Sequence, residues 1–172
     1  MIRTIVIAAL LAMGLSGAAI AADAPTDPQI AHIAYTAGQI DIAAAEQAIT
    51  KSTNADIVAF AKQMAEDHKA VNDQALALVK KLKVTPQDND TSKSLVKQAD
   101  EERAKLSKLN GAAFDKAYIA NEVAFHKTVN GALQSTLIPS AKNGELKSLL
   151  ETGLKVFQGH QQHAEHVAME LK

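Results

Sequence analysis

Residues 54–83 read NADIVAFAKQMAEDHKAVNDQALALVKKLK, and this stretch decides how the rest of the chain is read. Ile57, Ala61, Met64, His68, Val71, Ala75, Leu78 and Leu82 recur at alternating steps of four and three residues. That spacing returns to one side of a helix at every turn, so it predicts a long helix with one buried stripe. The same steps recur in Leu146, Leu150, Gly153, Phe157, His160, Ala164, Val167 and Leu171. A shorter version runs through Ile30, Ala34, Ala37, Asp41, Ala44 and Ala48, and another through Ile119, Val123, His126, Asn130, Leu133 and Leu137. Four such stripes bury themselves most economically against one another, as a helical bundle with shallow crossing angles.

Composition agrees. The 172 residues are 47% hydrophobic but only 3% aromatic, with 8 glycines and 4 prolines. A core built from Ala, Val, Leu and Ile with so few ring residues and glycines leans toward helix rather than sheet. The chain has no cysteine, which excludes disulfides, thiolate zinc sites, iron–sulfur clusters and thiol catalysis. A formal net charge of −1 gives no reason to expect nucleic acid as a partner.

Punctuation sets the helix limits. Asp27-Pro28 offers an N-cap followed by proline at the first helical position. A helix at 28–51 follows. Thr53 and Asp56 stand in capping-box spacing before the helix at 54–83. Residues 84–90 are a loop by composition. A shorter polar helix at 91–109 stops at Asn110-Gly111, a helix at 112–138 ends at Pro139, and Asn143-Gly144 opens a helix at 144–171. The first two long helices and the last two are joined by short turns, so each pair is expected to be an antiparallel hairpin. A crossover at 84–111 with its own short helix joins the pairs. This is an all-α, ferritin-like four-helix bundle with an accessory crossover helix; an up-down bundle with an extra helix is the alternative.

Residues 1–21 read as an address. Arg3 supplies the positive end, residues 5–15 form an apolar run too short to span a bilayer comfortably, and Ala19-Ile20-Ala21 is a small-residue cleavage motif. The expectation is a Sec signal peptide cut after Ala21, a short flexible tail at 22–27 and a single bundle domain at 28–171. With no cysteine to carry a lipid anchor and no second long apolar run, the exported chain is expected in the periplasm, without an integral membrane segment.

Each apolar stripe is interrupted near its middle by a polar group: Asp41, His68, His126 and His160, with Asn130 as a further interruption. Such groups rarely occupy bundle cores unless paired or coordinated. Glu122 lies one turn before His126 on the same face, and His163 lies one turn after His160 nearby. Asp41, His68, Glu122, His126, His160 and His163 are therefore the candidate metal ligands. Imidazole with carboxylate suits Fe, Mn, Cu or Zn. Asp67 points about 100° away from His68, which makes it a supporting or surface group rather than a co-ligand.

Helix rise argues against one shared level. Asp41 is 11 residues before Ser52 and His68 is 16 after it, a mismatch of about 7.5 Å at 1.5 Å per residue. By that count Tyr35 matches His68 better, and Glu122 matches His160 better than His126 does. The groups share the middle third of the bundle without needing to share one site. No nucleophile elbow, P-loop or dinucleotide fingerprint occurs in the chain.

Several of these segments also resemble a bacterial exported family catalogued as domain of unknown function 4142. The matching pieces are Gly38-Gln39-Ile40-Asp41, the run AFAKQMAEDH ending at His68, FDKAYI at 114–119 with NEVAFH at 121–126, and His160-x-x-His163-Ala164. The resemblance covers about residues 29–168. It implies export, a ferritin-like helical bundle, and His68, His126 and His160 as characteristic polar positions; it implies no established reaction. Where the family usually carries Glu, this chain has Asp41, and the acid before the helix-4 histidine is replaced by Phe125 with Glu122 nearby. The Glu-x-x-His pairs of di-iron ferritins are missing, because Ala65, Val123 and Phe157 stand three residues before the histidines.

Two expectations follow. The first is an exported metal-binding protein with a stress-related role, free to form a homo-oligomer, in which oxygen or peroxide chemistry requires a redox metal. The second is a structural or partner-binding envelope domain whose core His and acid groups form a hydrogen-bond network. A third reading is a small-molecule binder using the bundle core.

Overall fold

In the computed structural model, which describes residues 24–171, helix begins at Asp27. The leader at 1–21 lies outside the described residues. Five helices follow: α1 (Asp27–Lys51), α2 (Ala55–Leu82), α3 (Asp90–Ser107), α4 (Gly111–Ala132) and α5 (Gly144–Glu170). Among the described residues there is no strand, and no helix is long and apolar enough to cross a membrane.

Asparagines set two helix starts. Asn54 accepts hydrogen bonds from the N–H groups of Asp56 and Ile57, and Asn143 does the same for Glu145 and Leu146. The cap of α2 is thus Asn54, not Thr53. The start of α1 also differs from expectation. Thr26 is the cap, with its N–H donated to Gln29 Oε1 at 2.9 Å, and Asp27 sits inside the first turn. The Asp27 carboxylate instead accepts the N–H groups of Lys142 and Asn143, each at 2.8 Å. It fastens the start of α1 to the turn before α5, a partner that local spacing could not reveal.

The helix after α4 does not stop at Pro139. It passes through a π-helical turn, Leu133–Leu137, and a last α-turn, Ile138–Ser140. Ile138 donates its N–H five residues back, to the Leu133 carbonyl. The helical path then ends at Ser140, one residue beyond Pro139, where Ala141 turns extended.

Helix α1 packs along α2, α4 along α5, α2 along α5, and α1 along α4; α3 lies over α1. The α1–α2 pair is antiparallel. Gln87 N–H reaches the Pro28 carbonyl at one end, Asn72 Nδ2 reaches the Tyr35 carbonyl midway, and a three-residue turn closes the other end. At that closed end Ser52 Oγ donates to Asp115 Oδ1 at 2.6 Å, a buried bond that ties the turn to α4.

Midway along this pair the helices come unusually close. A Cβ added at Gly38 would lie 2.4 Å from Asn72 Oδ1. Gly38 therefore makes room for the Asn72 amide. It lies one turn before Asp41, and Asn72 lies one turn after His68, so the close approach sits beside the polar middle of the bundle.

The apolar core has two parts. One surrounds Ala48, Ile57, Phe60, Met64, Phe114 and Tyr118 near the α1–α2 turn. The other gathers Ile30, Ile33, Leu133, Leu137, Leu146 and Leu150 at the opposite end. Fully burying a side chain such as Met64 or Ile57 contributes about 1.5–3 kcal/mol. The stripe of α2 is buried from Ile57 to Asn72, but Ala75, Leu78 and Leu82 are only half-buried. Between the two apolar parts lies a buried polar layer.

Candidate metal centre

That layer is made by one or two side chains from each long helix. Asp41 comes from α1, His68 from α2, Glu122 and His126 from α4, and His160 from α5; each is at most 3% exposed. Two triads of ligand atoms, each mutually within 4.8 Å, share His126: His68–His126–His160 and Asp41–Glu122–His126.

The expected mismatch in height does not separate these groups. His68 Nε2 is 3.5 Å from Asp41 Oδ1, and His126 Nε2 is 3.6 Å from Asp41 Oδ2. The cause is the tilt of every Cα–Cβ bond toward its helix N-terminus. On α1 this carries Asp41 away from the connecting turn, while on α2 it carries His68 toward that turn. The two tilts close the gap that backbone rise alone predicts. The same correction applies to α4 and α5. The rings of His126 and His160 are 5.4 Å apart, whereas Glu122 turns to the Asp41 side and lies 3.6 Å from His126 Nδ1. Tyr35 contributes its backbone carbonyl to Asn72 and belongs to neither triad.

Hydrogen bonds fix which ring nitrogens are free. His126 Nδ1 lies 3.0 Å from the Glu122 carbonyl, which can only accept, so Nδ1 carries the proton and Nε2 keeps its lone pair. In the absence of a metal that lone pair accepts from His68 Nε2–H at 3.4 Å, which leaves the lone pair of His68 on Nδ1. His160 Nε2 donates to Asp67 Oδ2 at 2.9 Å, which leaves the buried His160 Nδ1 as a lone pair without a partner. A backbone carbonyl behind one imidazole and a carboxylate behind another are the usual supports of metal-ligating histidines.

Other polar atoms are also orphaned. Asp41 and Glu122 face each other, so a proton on one carboxyl can be donated to the other, while Nδ1 of His68 and the Tyr118 hydroxyl are buried without a hydrogen-bond partner among the described residues. Such groups cost roughly 1–3 kcal/mol each when left unpaired. His32, Gln47 and Asn130, outside the two triads, also carry a buried polar atom without a partner among the described residues.

The electrostatics follow from burial. Desolvation holds His68 well below its ordinary range, with the neighbouring His126 and His160 adding to the effect, and holds His126 at about 4. Burial lowers His160 as well, opposed by Asp67. Burial raises Asp41 to about 7, and raises Glu122 well above the carboxylate range with help from the Asp41 charge. At neutral pH the imidazoles are uncharged, the form that coordinates a metal. A cation in the layer would reverse the penalty on both carboxylates.

Spacing can be compared with coordination geometry. A tetrahedral ion about 2.1 Å from its ligands sets neighbouring ligand atoms roughly 3.4 Å apart. His68 Nε2 and His126 Nε2 are 3.4 Å apart, and each faces a different oxygen of Asp41, Oδ1 at 3.5 Å and Oδ2 at 3.6 Å, so the carboxylate bridges the two rings. Two imidazoles and one carboxylate are also a set used by zinc and non-haem iron. His163 is not brought into either triad, and its ring packs edge-on against Phe60 at 5.1 Å.

Two neighbours escape a stripe-based reading. Asp67 is excluded as a co-ligand by its angle from His68, yet that angle aims it at His160 on α5. Phe157 belongs to the apolar stripe, but its ring stacks on His68 at 4.5 Å and 8°. It walls the polar layer on one side.

The comparisons with known proteins agree in fold and stay silent on reaction. No curated protein matches the chain. A crystal structure of a Streptomyces coelicolor chain described as a secreted DUF305 protein matches with a TM-score of 0.69 at 11% identity, over 83% of this chain and 91% of that one. At that identity the likeness speaks for the shared all-helical fold. The family model for the Domain of unknown function (DUF4142) matches residues 12–167, nearly the whole chain, and contains all six candidate ligands. The chain belongs to the DUF4142 family.

Proposed function

We propose that this protein is an exported, ferritin-like four-helix bundle that holds one transition-metal ion in its polar layer. Asp41, His68 and His126 are the primary ligands, with His160 and Glu122 beside them and His163 outside the set. The observation that carries the reading is the convergence of buried imidazole nitrogens and carboxylate oxygens from four helices into two triads that share His126, the atoms of each mutually within 4.8 Å. The ion is Fe, Mn, Cu or Zn by ligand chemistry. Four long helices arranged as hairpins α1–α2 and α4–α5 around a crossover at 84–111 support the ferritin-like arrangement. The leader at 1–21 supports export to the periplasm, where capture of a reactive metal gives the stress-related role. Reaction with oxygen or peroxide belongs to this reading only if the ion is redox-active.

The test is elemental analysis of protein purified from the periplasm, beside a His68→Ala/His160→Ala variant. Stoichiometric metal lost in the variant supports the reading. Metal well below one per chain and unchanged by the double substitution would sink it. That result would favour a hydrogen-bonded structural core, which the His126–Glu122 and His160–Asp67 bonds would serve.

A further inference from the structure

The half of the bundle away from the α1–α2 turn is incompletely filled. A cavity of about 630 Å³ lies there, walled by Ala37, Val71, Ala75, Leu133, Leu150 and Phe157. Its origin is legible in the residues. The walls facing it carry small side chains from three helices, Ala34 and Ala37, Ala75, and Gly153. On α2 this is the stretch where the stripe is only half-buried. The π-helical turn contributes Leu133, Thr136 and Leu137 to another wall, and such turns recur at functional sites. A cavity of this size between the helices of a bundle, mostly apolar with a few polar groups, is the usual form of a small-molecule site.

The lining also selects the chemistry of the occupant. Among the described residues it contains no lysine, arginine or histidine, and its one charged group is the exposed Asp90 at the rim. A fatty acid or phospholipid would bring an anionic head to a site without a cation, beside a carboxylate. The polar groups on the lining are amides and hydroxyls, Gln29, Asn72, Asn89, Thr91, Thr128 and Thr136, of which Gln29, Asn89 and Thr128 already hold backbone partners. They suit a single hydroxyl or carbonyl. We infer that this cavity binds a neutral, largely hydrocarbon molecule bearing one hydroxyl or carbonyl group. The inference does not depend on metal binding. The two sites do share a wall, since Phe157 lines the cavity and stacks on His68.

The experiment is a fluorescence titration of the metal-free protein with the neutral probe N-phenyl-1-naphthylamine, followed by displacement with 1-dodecanol or with dodecanoate. Saturable binding of one probe per chain is expected, with displacement by the alcohol and not by the carboxylate. Filling the cavity by Ala75→Trp, or separately by Ala132→Trp from the α4 side, should weaken the probe about tenfold or more. Asp41→Asn should leave probe binding in place, which separates this site from the metal centre. Absence of saturable binding would overturn the inference. So would equal displacement by dodecanoate, or unchanged affinity in a filled variant that keeps its helical circular dichroism. If both filled variants fail to fold, the alcohol-against-carboxylate comparison on the unaltered protein decides alone.

Discussion

Gly38→Ala should destabilise this protein, although the same change in an ordinary helix interior stabilises it. In the middle of a helix, alanine is favoured over glycine by about 1 kcal/mol. At position 38 the new Cβ would arrive 2.4 Å from Asn72 Oδ1 and 2.8 Å from its Nδ2. The Asn72 amide is 4% exposed and holds the Tyr35 carbonyl, so retreating from the new Cβ breaks that bond. Overpacking of this kind costs roughly 1–3 kcal/mol, giving a net loss of about 0–2 kcal/mol. In an Asn72→Ala background the obstacle is gone, and Gly38→Ala should then stabilise by about 1 kcal/mol. The assay is urea denaturation of all four proteins followed by circular dichroism, analysed as a double-mutant cycle. A coupling of about 1–3 kcal/mol with a reversal of sign is expected. Equal stabilisation by Gly38→Ala in both backgrounds would refute the close approach of α1 and α2 at Gly38.

Three further predictions concern the layer and its supports. In metal-free protein, His126 titrates at about 4 rather than 6.5, so the unfolded chain binds more protons between those values and acidification through that window removes stability. Asp41 titrates at about 7 rather than 3.8, so the folded chain holds the extra proton and acidification adds stability over the same range. Asp41→Asn removes this opposing contribution and should steepen the loss from about pH 6 to about pH 5 by roughly 1 kcal/mol; a slope equal to or shallower than that of the unaltered protein in urea titrations would contradict it. Asn54→Ala should cost about 1 kcal/mol as the cap of α2 is lost, while Thr53→Ala should stay within about 0.5 kcal/mol; similar thermal shifts for the two would place the cap wrongly. Asp67→Asn weakens the support of His160 and should lower metal affinity about tenfold or more in competition with a chelator; unchanged affinity would remove His160 from the site.

Much of this architecture is written in local pattern. The four stripes predict the long helices because burial of one face repeats with the helix period, and asparagines before α2 and α5 mark their starts. The polar layer is visible for the same reason: Asp41, His68, His126 and His160 each break an apolar stripe. Its geometry is less visible. Counting backbone rise put Asp41 below His68 because rise ignores the tilt of side chains, which acts in opposite directions on antiparallel helices. Asp67 is legible as a supporting group, but its partner on α5, like the partner of Asp27 at the α4–α5 turn, is remote in sequence and is not. The cavity beside Phe157 has no sequence signal, since how well alanines fill a space depends on where the helices settle. The helix continues one residue beyond Pro139 after a π-helical turn, which composition does not announce.

The most direct measurement of the central claim is the metal stoichiometry of purified protein after reloading with Zn²⁺ and gel filtration, compared across His126→Ala, Asp41→Asn and His163→Ala. The account predicts one tightly held ion per chain in the unaltered protein and in His163→Ala, and loss of that ion in His126→Ala, the residue shared by both triads, with weaker retention in Asp41→Asn. A folded His126→Ala protein that still holds one ion, or His163→Ala as the variant that loses it, would contradict the account.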